Sequence, residues 1–410
     1  MQTIDLVVVA CLAGTGLLAF YGAVLYPALL ALAARRWRRP WVKAAIQPRV
    51  SVIIPARNEA AIIARKLDNV LASDYPGGAL EIIVASDCSS DETDSIAGLY
   101  APRVRVLRAD VRSGKQVCLN LAAAHATGEI LLFTDAASLI APNAISLLVR
   151  HFADPSIGAV SSAIRVSSRT PTSLNSAIVE RAADPADALP NPSAAEGMYL
   201  GADCAVRVRE GEISNIVGCV GACYAIRRSC FDPLHPGDCD DFAAVCNVVA
   251  HGKRAVMDPQ VICEMLPARD GKIELARKVR TMAGAVDTLW RYRRQILKFA
   301  PPSLLWFLVS HKVCRWLLPL SILASAAAVT TGAVCGHWLW KVPLAGVLFV
   351  ASAGLAGYRS SPALSRARIL KHVSFLAISL SAGVYAWITV LSGKKQIVWQ
   401  PTPRTAAKTC

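Results

Sequence analysis

The sequence predicts an α/β domain with a mostly parallel sheet, joined to transmembrane α-helices at both of its ends. Short apolar runs alternate with helix-like segments between about residues 48 and 300, as strands and crossover helices of a parallel sheet do. Before that region, Leu6 to Ala34 carry no charge, and apolar segments return in about the last hundred residues. A helix of about 20 such residues spans the hydrocarbon core of a membrane.

The first apolar run is interpreted as a true membrane helix. The alternative is a cleaved signal peptide, which has a basic start and a short apolar core. This run instead follows Asp5 and is closed by a group of four arginines, Arg35, Arg36, Arg38 and Arg39. Because basic residues next to a span remain in the cytosol, residues 1–40 are predicted to form a transmembrane helix with a basic stop-transfer segment.

Three further candidate spans lie near 314–335, 342–357 and 373–391. The second is short and could be tilted, partly buried or re-entrant. Residues 296–313 mix apolar and basic side chains and are interpreted as an interfacial amphipathic helix. The predicted domains are therefore 1–40, a cytosolic domain 41–295, the interfacial helix 296–313, about three spans within 314–393 and a basic tail 394–410.

This arrangement predicts a multi-pass protein of the inner (plasma) membrane with a cytosolic catalytic domain. The side of the C-terminus is left open, because the tail and the loop before the last span are both basic and cannot both be cytosolic if that span is complete.

The composition favours membrane lipids over nucleic acid as a partner. The net charge is +15, with 54% hydrophobic and 18% charged residues. Many basic residues flank the apolar segments, where they would contact anionic headgroups, and no nucleic-acid-binding motif is present. The 13 cysteines lack zinc-site spacing and are interpreted mostly as small buried side chains of a reducing compartment.

The middle region contains five predicted strands and four predicted helices. The strands are Val50–Pro55, Glu81–Ala85, Val104–Arg108, Ile130–Thr134 and Ala159–Ile164. The helices are 59–73, Asp91–Tyr100, Lys115–Ala126 and Pro142–Ala153, with Gly128 as the C′ glycine of the third. Such sheets bind ligands beyond the carboxyl ends of their strands.

Carboxylates follow two of these strands. Asp87 comes after the second strand and Asp135 after the fourth. Two acidic groups at one edge would repel unless they bind a cation or hydrogen-bond donors, and a nucleotide diphosphate with a divalent metal supplies that cation. The alternative is helix capping, which is the preferred interpretation for Asp91.

Four segments, in order, resemble the inverting family 2 glycosyltransferases, which include cellulose, hyaluronan and poly-N-acetylglucosamine synthases. They are Ile-Ile-Pro-Ala-Arg-Asn-Glu (53–59), Ser-Asp-Cys-Ser-Ser-Asp-Glu-Thr (86–93), Ser-Gly-Lys-Gln-Val-Cys-Leu-Asn (113–120) and Phe-Thr-Asp-Ala-Ala-Ser (133–138). The resemblance covers about residues 48–300. It implies a GT-A-like (Rossmann-like) domain, with Ser86 in place of the first Asp of the family's acidic turn.

The resemblance also implies roles for individual residues. Asp87 would hold the base or ribose, Lys115 would lie near the base or diphosphate, and Asp135 would bind Mg²⁺ or Mn²⁺. The second Asp of the family's Asp-x-Asp is Ala137 here, which implies a weaker metal site. The remaining nucleotide-pocket residues would be Pro55, Arg57 and Glu59.

Inverting transfer needs a carboxylate that takes the proton of the acceptor hydroxyl. The candidate base is Asp241, preceded by Asp240 at the start of a predicted helix; capping by either residue is the alternative. Asp240 and the glycines of the small-residue segment 215–228, Gly218 and Gly221, would lie near the acceptor. For that segment, a tight turn into a core strand is an equally supported interpretation.

The family's processive members carry Gln-x-x-Arg-Trp, where this chain has Arg277, Arg280 and Thr281 at the matching positions. Both arginines are candidate diphosphate ligands, with contact to lipid headgroups as the alternative. The segment 277–284, like Ser310–Arg315, resembles a branch tied to exopolysaccharide or lipid-linked glycan assembly, so other polysaccharide-assembly proteins are possible partners.

The expected function is transfer of a sugar from a nucleotide sugar, a UDP-sugar by expectation, to a lipid-linked or polysaccharide acceptor. A processive β-polysaccharide synthase is one alternative, although the absence of Trp at 281 argues against it. A non-catalytic binding or scaffold subunit with the same fold is the other, because Ala137 replaces the second Asp and the Gln-x-x-Arg-Trp motif is altered.

Overall fold

The computed structural model describes residues 3–166, 192–265, 271–335, 338–359 and 368–393. An eight-stranded sheet forms its centre, in the order β3-β2-β1-β4-β7-β6-β8-β5. The strands are β1 (Val50–Ala56), β2 (Leu80–Ser86), β3 (Val104–Arg108), β4 (Ile130–Thr134), β5 (Ser138–Ile140), β6 (Ile157–Val166), β7 (Cys223–Arg227) and β8 (Arg254–Met265).

Thirteen α-helices surround the sheet or extend from it in the described residues. They are α1 (Thr3–Phe20), α2 (Tyr26–Trp37), α3 (Ile63–Leu71), α4 (Thr93–Gly98), α5 (Lys115–His125), α6 (Ala144–Val149), α7 (Pro192–Ile213), α8 (Asp240–Ala250), α9 (Gly271–Phe299), α10 (Pro302–Phe307), α11 (Cys314–Val334), α12 (Lys341–Arg359) and α13 (Arg368–Leu391).

The predicted strand–helix alternation is confirmed for the first half of the domain. β1, β2, β3 and β4 pair in parallel, and β3 and β4 have the predicted limits. β1 is buried at every position, as expected for the central strand of a sheet that is covered on both faces. Apolar side chains of α3 and α6 pack on one face, and those of α5, α7 and α8 pack on the other.

The second half of the sheet is mixed. The predicted fifth strand exists as β6, but it pairs antiparallel with β7, which in turn pairs antiparallel with β4. β6 and β8 are parallel, and β5 and β8 are antiparallel. The segment 215–222 leads into β7, which lies between β4 and β6 and runs antiparallel to both. The strand–helix alternation in the sequence did not predict this strand.

The interpretation of Gly128 as a helix C′ residue is wrong. α5 ends at His125, and Gly128 does not have positive φ. A Cβ at this position would lie 2.5 Å from the Ser51 nitrogen and 2.9 Å from the Arg49 carbonyl oxygen. The glycine is required because the chain passes against β1 at this point.

Within the described residues, two helices are long and apolar enough, by length and composition, to cross a membrane: Thr3–Trp37 and Pro302–Val334. Each contains one π-helical turn, Tyr21–Leu25 and Leu308–Val313. They pack together, and hydroxyl groups join them: Thr15 Oγ1 lies 2.8 Å from Ser325 Oγ, and Ser325 donates to the Cys11 carbonyl at 2.9 Å. Hydrogen bonds between small polar residues are common where membrane helices associate.

The predicted interfacial segment is split between two elements. Its start belongs to α9, and residues from Pro302 onward form the first part of the long apolar helix. Leu304, Phe307 and Leu308 are buried in the same apolar cluster as Tyr26 and Leu30 of α2. This part of the helix is therefore held against the α/β domain. The basic tail 394–410 lies outside the described residues, and the membrane topology stays a prediction.

Candidate active site

Asp87 and Arg57 form the outer part of the predicted nucleotide pocket. Asp87 follows β2 and Arg57 follows β1, beside Pro55, which is buried in β1. Arg57 Nη1 donates to the Asp87 and Cys88 carbonyl oxygens at 2.5 and 2.8 Å. Asp87 Oδ1 accepts from the Ser113 and Gly114 nitrogens at 2.7 and 3.1 Å. Its second oxygen, Oδ2, is buried without a hydrogen-bond partner among the described residues, and such an orphan oxygen fits a donor from a ligand.

Lys115 forms ion pairs with two of the predicted site carboxylates. It is the first residue of α5, and its ammonium lies 3.0 Å from Asp135 Oδ1 and 3.1 Å from Asp240 Oδ2. Asp135 follows β4, and Asp240 begins α8. The three predicted site residues therefore meet, in one ion-paired group that we call the lysine bridge.

The lysine bridge shifts the protonation of its members. Burial alone lowers the pKa of Lys115, but the Asp135 and Asp240 carboxylates outweigh burial, and the pKa is raised. Burial raises the pKa of Asp240 to about 6, against the opposing effect of Lys115 and with help from Asp241 and Asp135. One ammonium faces two carboxylates, so the group has an excess of negative charge when both carboxyls are ionised.

Asp241, the predicted base, lies on the first turn of α8 beside the lysine bridge. Its Oδ1 accepts the Cys239 thiol at 2.9 Å, and its carbonyl oxygen accepts the Cys219 nitrogen at 3.1 Å. A Cβ on Gly221 would lie 3.5 Å from Asp241 Oδ2. The segment 215–222 thus passes directly against the base and turns into β7, which agrees with both interpretations of its glycines.

A cavity of about 590 Å³ connects these groups with the apolar helices. Predicted residues that line it are Glu59, Lys115, Asp135, Gly221, Asp240, Asp241, Arg277 and Arg280. Pro55, Arg57, Asp87 and Gly218 do not line it. The structure therefore gathers the residues predicted to bind the diphosphate, together with the predicted catalytic base, around one cavity. The residues predicted to bind the nucleobase and the ribose lie beyond the edge of that cavity.

The residues present fit a divalent cation only together with the substrate. Asp135 is the single carboxylate of its turn, and its side chain is 36% exposed. Among the residues that the structure describes, no group of three His, Cys, Asp or Glu is placed to hold a metal. Mg²⁺ and similar hard cations are commonly held by one or two carboxylates plus substrate phosphates, and Asp135 meets that requirement.

The sequence reasoning missed the residues on the other side of the cavity. Tyr199, Asp203 and Arg207 come from α7, and His311, Lys312, Arg315 and Trp316 come from the helix 302–334. In the sequence, the segment Ser310–Arg315 shows only a resemblance to a branch of the family. Basic side chains at the start of an apolar helix are ordinarily interpreted as lipid contacts, so the pattern did not direct them to the site.

Comparison with known proteins agrees with this geometry. Residues 51–231 match the Glycosyl transferase family 2 model. A solved structure, "Mannosyltransferase PcManGT from Pyrobaculum calidifontis in complex with GDP-Man and Mn2+", superposes with a TM-score of 0.68 at 25% identity and covers 95% of this chain and 99% of its own.

Curated relatives match over different lengths. The beta-monoglucosyldiacylglycerol synthase of Synechocystis sp. is 30% identical over 118 residues, which are 28% of this chain and 25% of that protein. An N-acetylglucosaminyltransferase of Mesorhizobium japonicum is 26% identical over 359 residues, 82% of this chain and 75% of its own length. The chain thus spans about a quarter of the first curated relatives that it matches. Residues 51–231 thus form a Glycosyl transferase family 2 domain on a GT-A-like sheet, and the similar proteins indicate a glycosyltransferase.

Proposed function

We propose that this protein is a membrane-bound inverting glycosyltransferase that moves a sugar from a nucleotide sugar to a lipid-linked or polysaccharide acceptor. The observation that carries the proposal is the position of Asp241. Its carboxylate lines a cavity that contains Asp135, Lys115 and Arg280 at one end and side chains of two apolar helices at the other. A donor at the first end and an acceptor at the second would meet at this carboxylate.

Asp241 is assigned as the general base. It would take the proton of the acceptor hydroxyl as that oxygen attacks the anomeric carbon from the face opposite the leaving diphosphate. Lys115, Arg277 and Arg280 would stabilise the diphosphate through charge-assisted hydrogen bonds. A divalent cation held by Asp135, Mg²⁺ or Mn²⁺, would neutralise further charge on the same group.

The donor is proposed to be a UDP-sugar, with a GDP-sugar as the second candidate. Asp87 supports recognition of the nucleoside, because its unpaired Oδ2 fits an N–H of a base or a ribose hydroxyl. GDP-mannose enters as a candidate because the similar mannosyltransferase structure contains GDP-Man and Mn²⁺.

The acceptor and the location are proposed together. A cavity wall made of apolar helices favours an acceptor that reaches the site from the membrane. The multi-pass inner-membrane location, with the catalytic domain in the cytosol, follows from the sequence pattern. The absence of Trp at 281 favours a limited addition over processive polymer synthesis.

A donor panel tests the proposal. Protein purified in detergent is mixed with UDP- and GDP-sugars, Mg²⁺ or Mn²⁺ and native membrane lipids, and nucleotide release and product mass are measured. We expect release with one donor class and a product heavier by one sugar. Asp87→Asn should raise the KM for that donor about tenfold or more, whereas the exposed Asp68→Asn should not. Release with no donor would contradict an enzyme, and a ladder of product masses would favour the polymerase alternative.

A further inference from the structure

The end of the cavity that faces the apolar helices contains a second group of charged residues, separate from the lysine bridge. We call it the acceptor-end cluster: Asp203, Arg207, Glu210, His311, Lys312 and Arg315. Three of these side chains come from α7, and three come from the start of the helix 302–334. Nothing in the donor chemistry described above uses them.

His311 is held between two carboxylates. Its Nδ1 lies 2.6 Å from Glu210 Oε1, and its Nε2 lies 2.8 Å from Asp203 Oδ1. Both ring nitrogens of His311 thus lie within hydrogen-bond distance of a carboxylate oxygen, which fixes the orientation of the ring. Glu210 is stabilised further by the hydroxyl of Tyr26, which donates to it at 2.7 Å.

The two arginines of the cluster converge on Asp203. Arg207 Nε and Arg315 Nη1 each lie 2.6 Å from its carboxylate oxygens. Burial alone would raise the pKa of Asp203, but Arg207, His311 and Arg315 overcome this effect and hold the pKa well below the ordinary value. Asp203 is thus ionised, and its carboxylate contacts Arg207, His311 and Arg315.

Lys312 differs from the other cations because no carboxylate of the described residues forms an ion pair with it. Its ammonium instead lies over the rings of Phe242 and Trp316, at 4.7 and 5.9 Å from their centroids. A Cβ on Gly218 would lie 3.3 Å from that ammonium. Since Phe242 follows Asp241 in α8 and Gly218 belongs to the loop that packs on Asp241, Lys312 is adjacent to the proposed base.

The cluster as a whole has an excess of positive charge. Three permanently cationic side chains, Arg207, Lys312 and Arg315, face two carboxylates, Asp203 and Glu210. Excess charge in a cavity beside apolar helices is unfavourable unless an anion compensates it. Trp316 of α11 and Ser379, Ala382 and Gly383 of α13 line the cavity on this side, so the anion has an apolar neighbourhood for an attached chain.

We propose that this end of the cavity binds the phosphate group of a lipid acceptor, with Lys312 as its principal ligand and Arg315 beside it. The inference rests on the proposed function in that it names the acceptor's chemical class. The phosphate lies on Lys312, the lipid chain extends between α11 and α13, and the hydroxyl that receives the sugar lies toward Asp241.

A binding experiment tests this assignment without depending on turnover. The full-length protein in detergent is titrated with farnesyl phosphate, farnesol, dihexanoyl phosphatidic acid, dihexanoyl glycerol and inorganic phosphate, and complexes are quantified by native mass spectrometry. We expect at least one phosphate-bearing lipid to bind about tenfold or more tightly than its neutral partner. Isoprenoid and glycerolipid phosphates are distinguished by which pair shows the difference.

Variants test whether the acceptor-end cluster causes the preference for phosphate-bearing lipids. Lys312→Met should remove about tenfold of the affinity for the phosphate-bearing lipid and leave that for its neutral partner unchanged, and Arg315→Gln should act in the same direction. Lys298→Met removes an exposed lysine from the end of α9 and serves as the matched control. Retained binding of the nucleoside diphosphate shows that each variant is folded, and Lys312→Gln replaces Lys312→Met if the latter is not.

Three results would overturn the assignment: equal binding of phosphate-bearing and neutral lipids, unchanged phosphate preference in the folded Lys312 variant, or Lys312-dependent binding of inorganic phosphate as tight as that of the lipids. Failure of the proposed function is a different result, namely no nucleotide release from any donor while lipid phosphate still binds.

Discussion

The two ends of the active-site cavity have opposite excess charge. At the donor end, the single ammonium of Lys115 faces two carboxylates, Asp135 and Asp240. At the acceptor end, the three cationic side chains Arg207, Lys312 and Arg315 face Asp203 and Glu210. The excess charge favours a cation at the donor end and an anion at the acceptor end. Asp241 lies between them, so under the proposed function the two charges would hold donor and acceptor on either side of it.

The largest expected effect is at the point where the two ends meet. Asp241→Asn removes the proposed base but keeps the size of the side chain, so sugar transfer should fall about a thousandfold or more. Binding of the nucleotide sugar, measured by calorimetry, should change little, because the donor groups lie at Lys115 and Asp135.

Asp232→Asn is the matched control for the base. Asp232 precedes α8, and its side chain is about half exposed, 3.7 Å from His251. Its variant should transfer sugar at the wild-type rate. A loss of donor binding in Asp241→Asn that matches the loss of transfer would assign Asp241 to the donor end instead.

The second effect tests the lysine bridge. Lys115→Met leaves Asp135 and Asp240 close together without their shared cation, and removing one partner of a buried ion pair commonly costs about 3–5 kcal/mol. The smaller value in this range applies because the Asp135 side chain is partly exposed to water. We expect a lower unfolding temperature together with a loss of donor binding, and added Mn²⁺ should recover part of the stability by replacing the missing charge. No change in unfolding temperature would show that the bridge does not stabilise the fold.

The two ends of the cavity also differ in how well their residues could be predicted from the sequence. The donor-end residues follow β1, β2 and β4 or begin the next helix, so their places at one sheet edge follow from strand–helix alternation alone. The acceptor-end residues Asp203 and His311 are over one hundred positions apart and meet only because two helices pack. Alternation predicts neither that packing nor the insertion of β7 between β4 and β6.

Lys115 shows the limit of the predictions at the donor end. Its place in the site was expected from the resemblance, but its ion pairs with Asp135 and Asp240 depend on the distance between the starts of α5 and α8. Residues 115 and 240 are brought together by the whole sheet, and no local pattern encodes that distance. Asp240, for which the resemblance implies a place near the acceptor, also forms part of the lysine bridge.

A third effect concerns pH. The pKa of Asp240 is about 6 in the folded protein, above the 3.8 of an ordinary aspartate. The folded state therefore binds a proton more tightly than the unfolded state between these values. The stability from that proton is fully present below about pH 4 and is lost as pH rises through about 6.

This contribution is at most about 3 kcal/mol, and the neighbouring charges of the lysine bridge share it. Unfolding temperatures of the wild type and of Asp240→Asn between pH 4 and 7 measure it. We expect the wild type to lose stability relative to the variant across this range. Parallel curves for the two proteins would mean that the pKa of Asp240 is the same in the folded and unfolded states. Asp68→Asn is the control, because it shows how the loss of an exposed carboxylate changes the unfolding temperature.

The smallest effect concerns the thiol that contacts the base. Cys239 Sγ lies 2.9 Å from Asp241 Oδ1, and the Cys239 nitrogen donates to Thr288 Oγ1 at 2.8 Å, which fixes the thiol in place. The thiol holds the Asp241 carboxylate in one orientation, so Cys239→Ala should lower kcat several-fold. Cys239→Ser retains a donor and should restore most of the rate, whereas Cys230→Ala, at a buried thiol away from the cavity, should leave kcat unchanged. Because the thiol acts only through Asp241, the KM of the donor should stay constant in all three variants, and a change in that KM would place Cys239 at the donor end of the cavity.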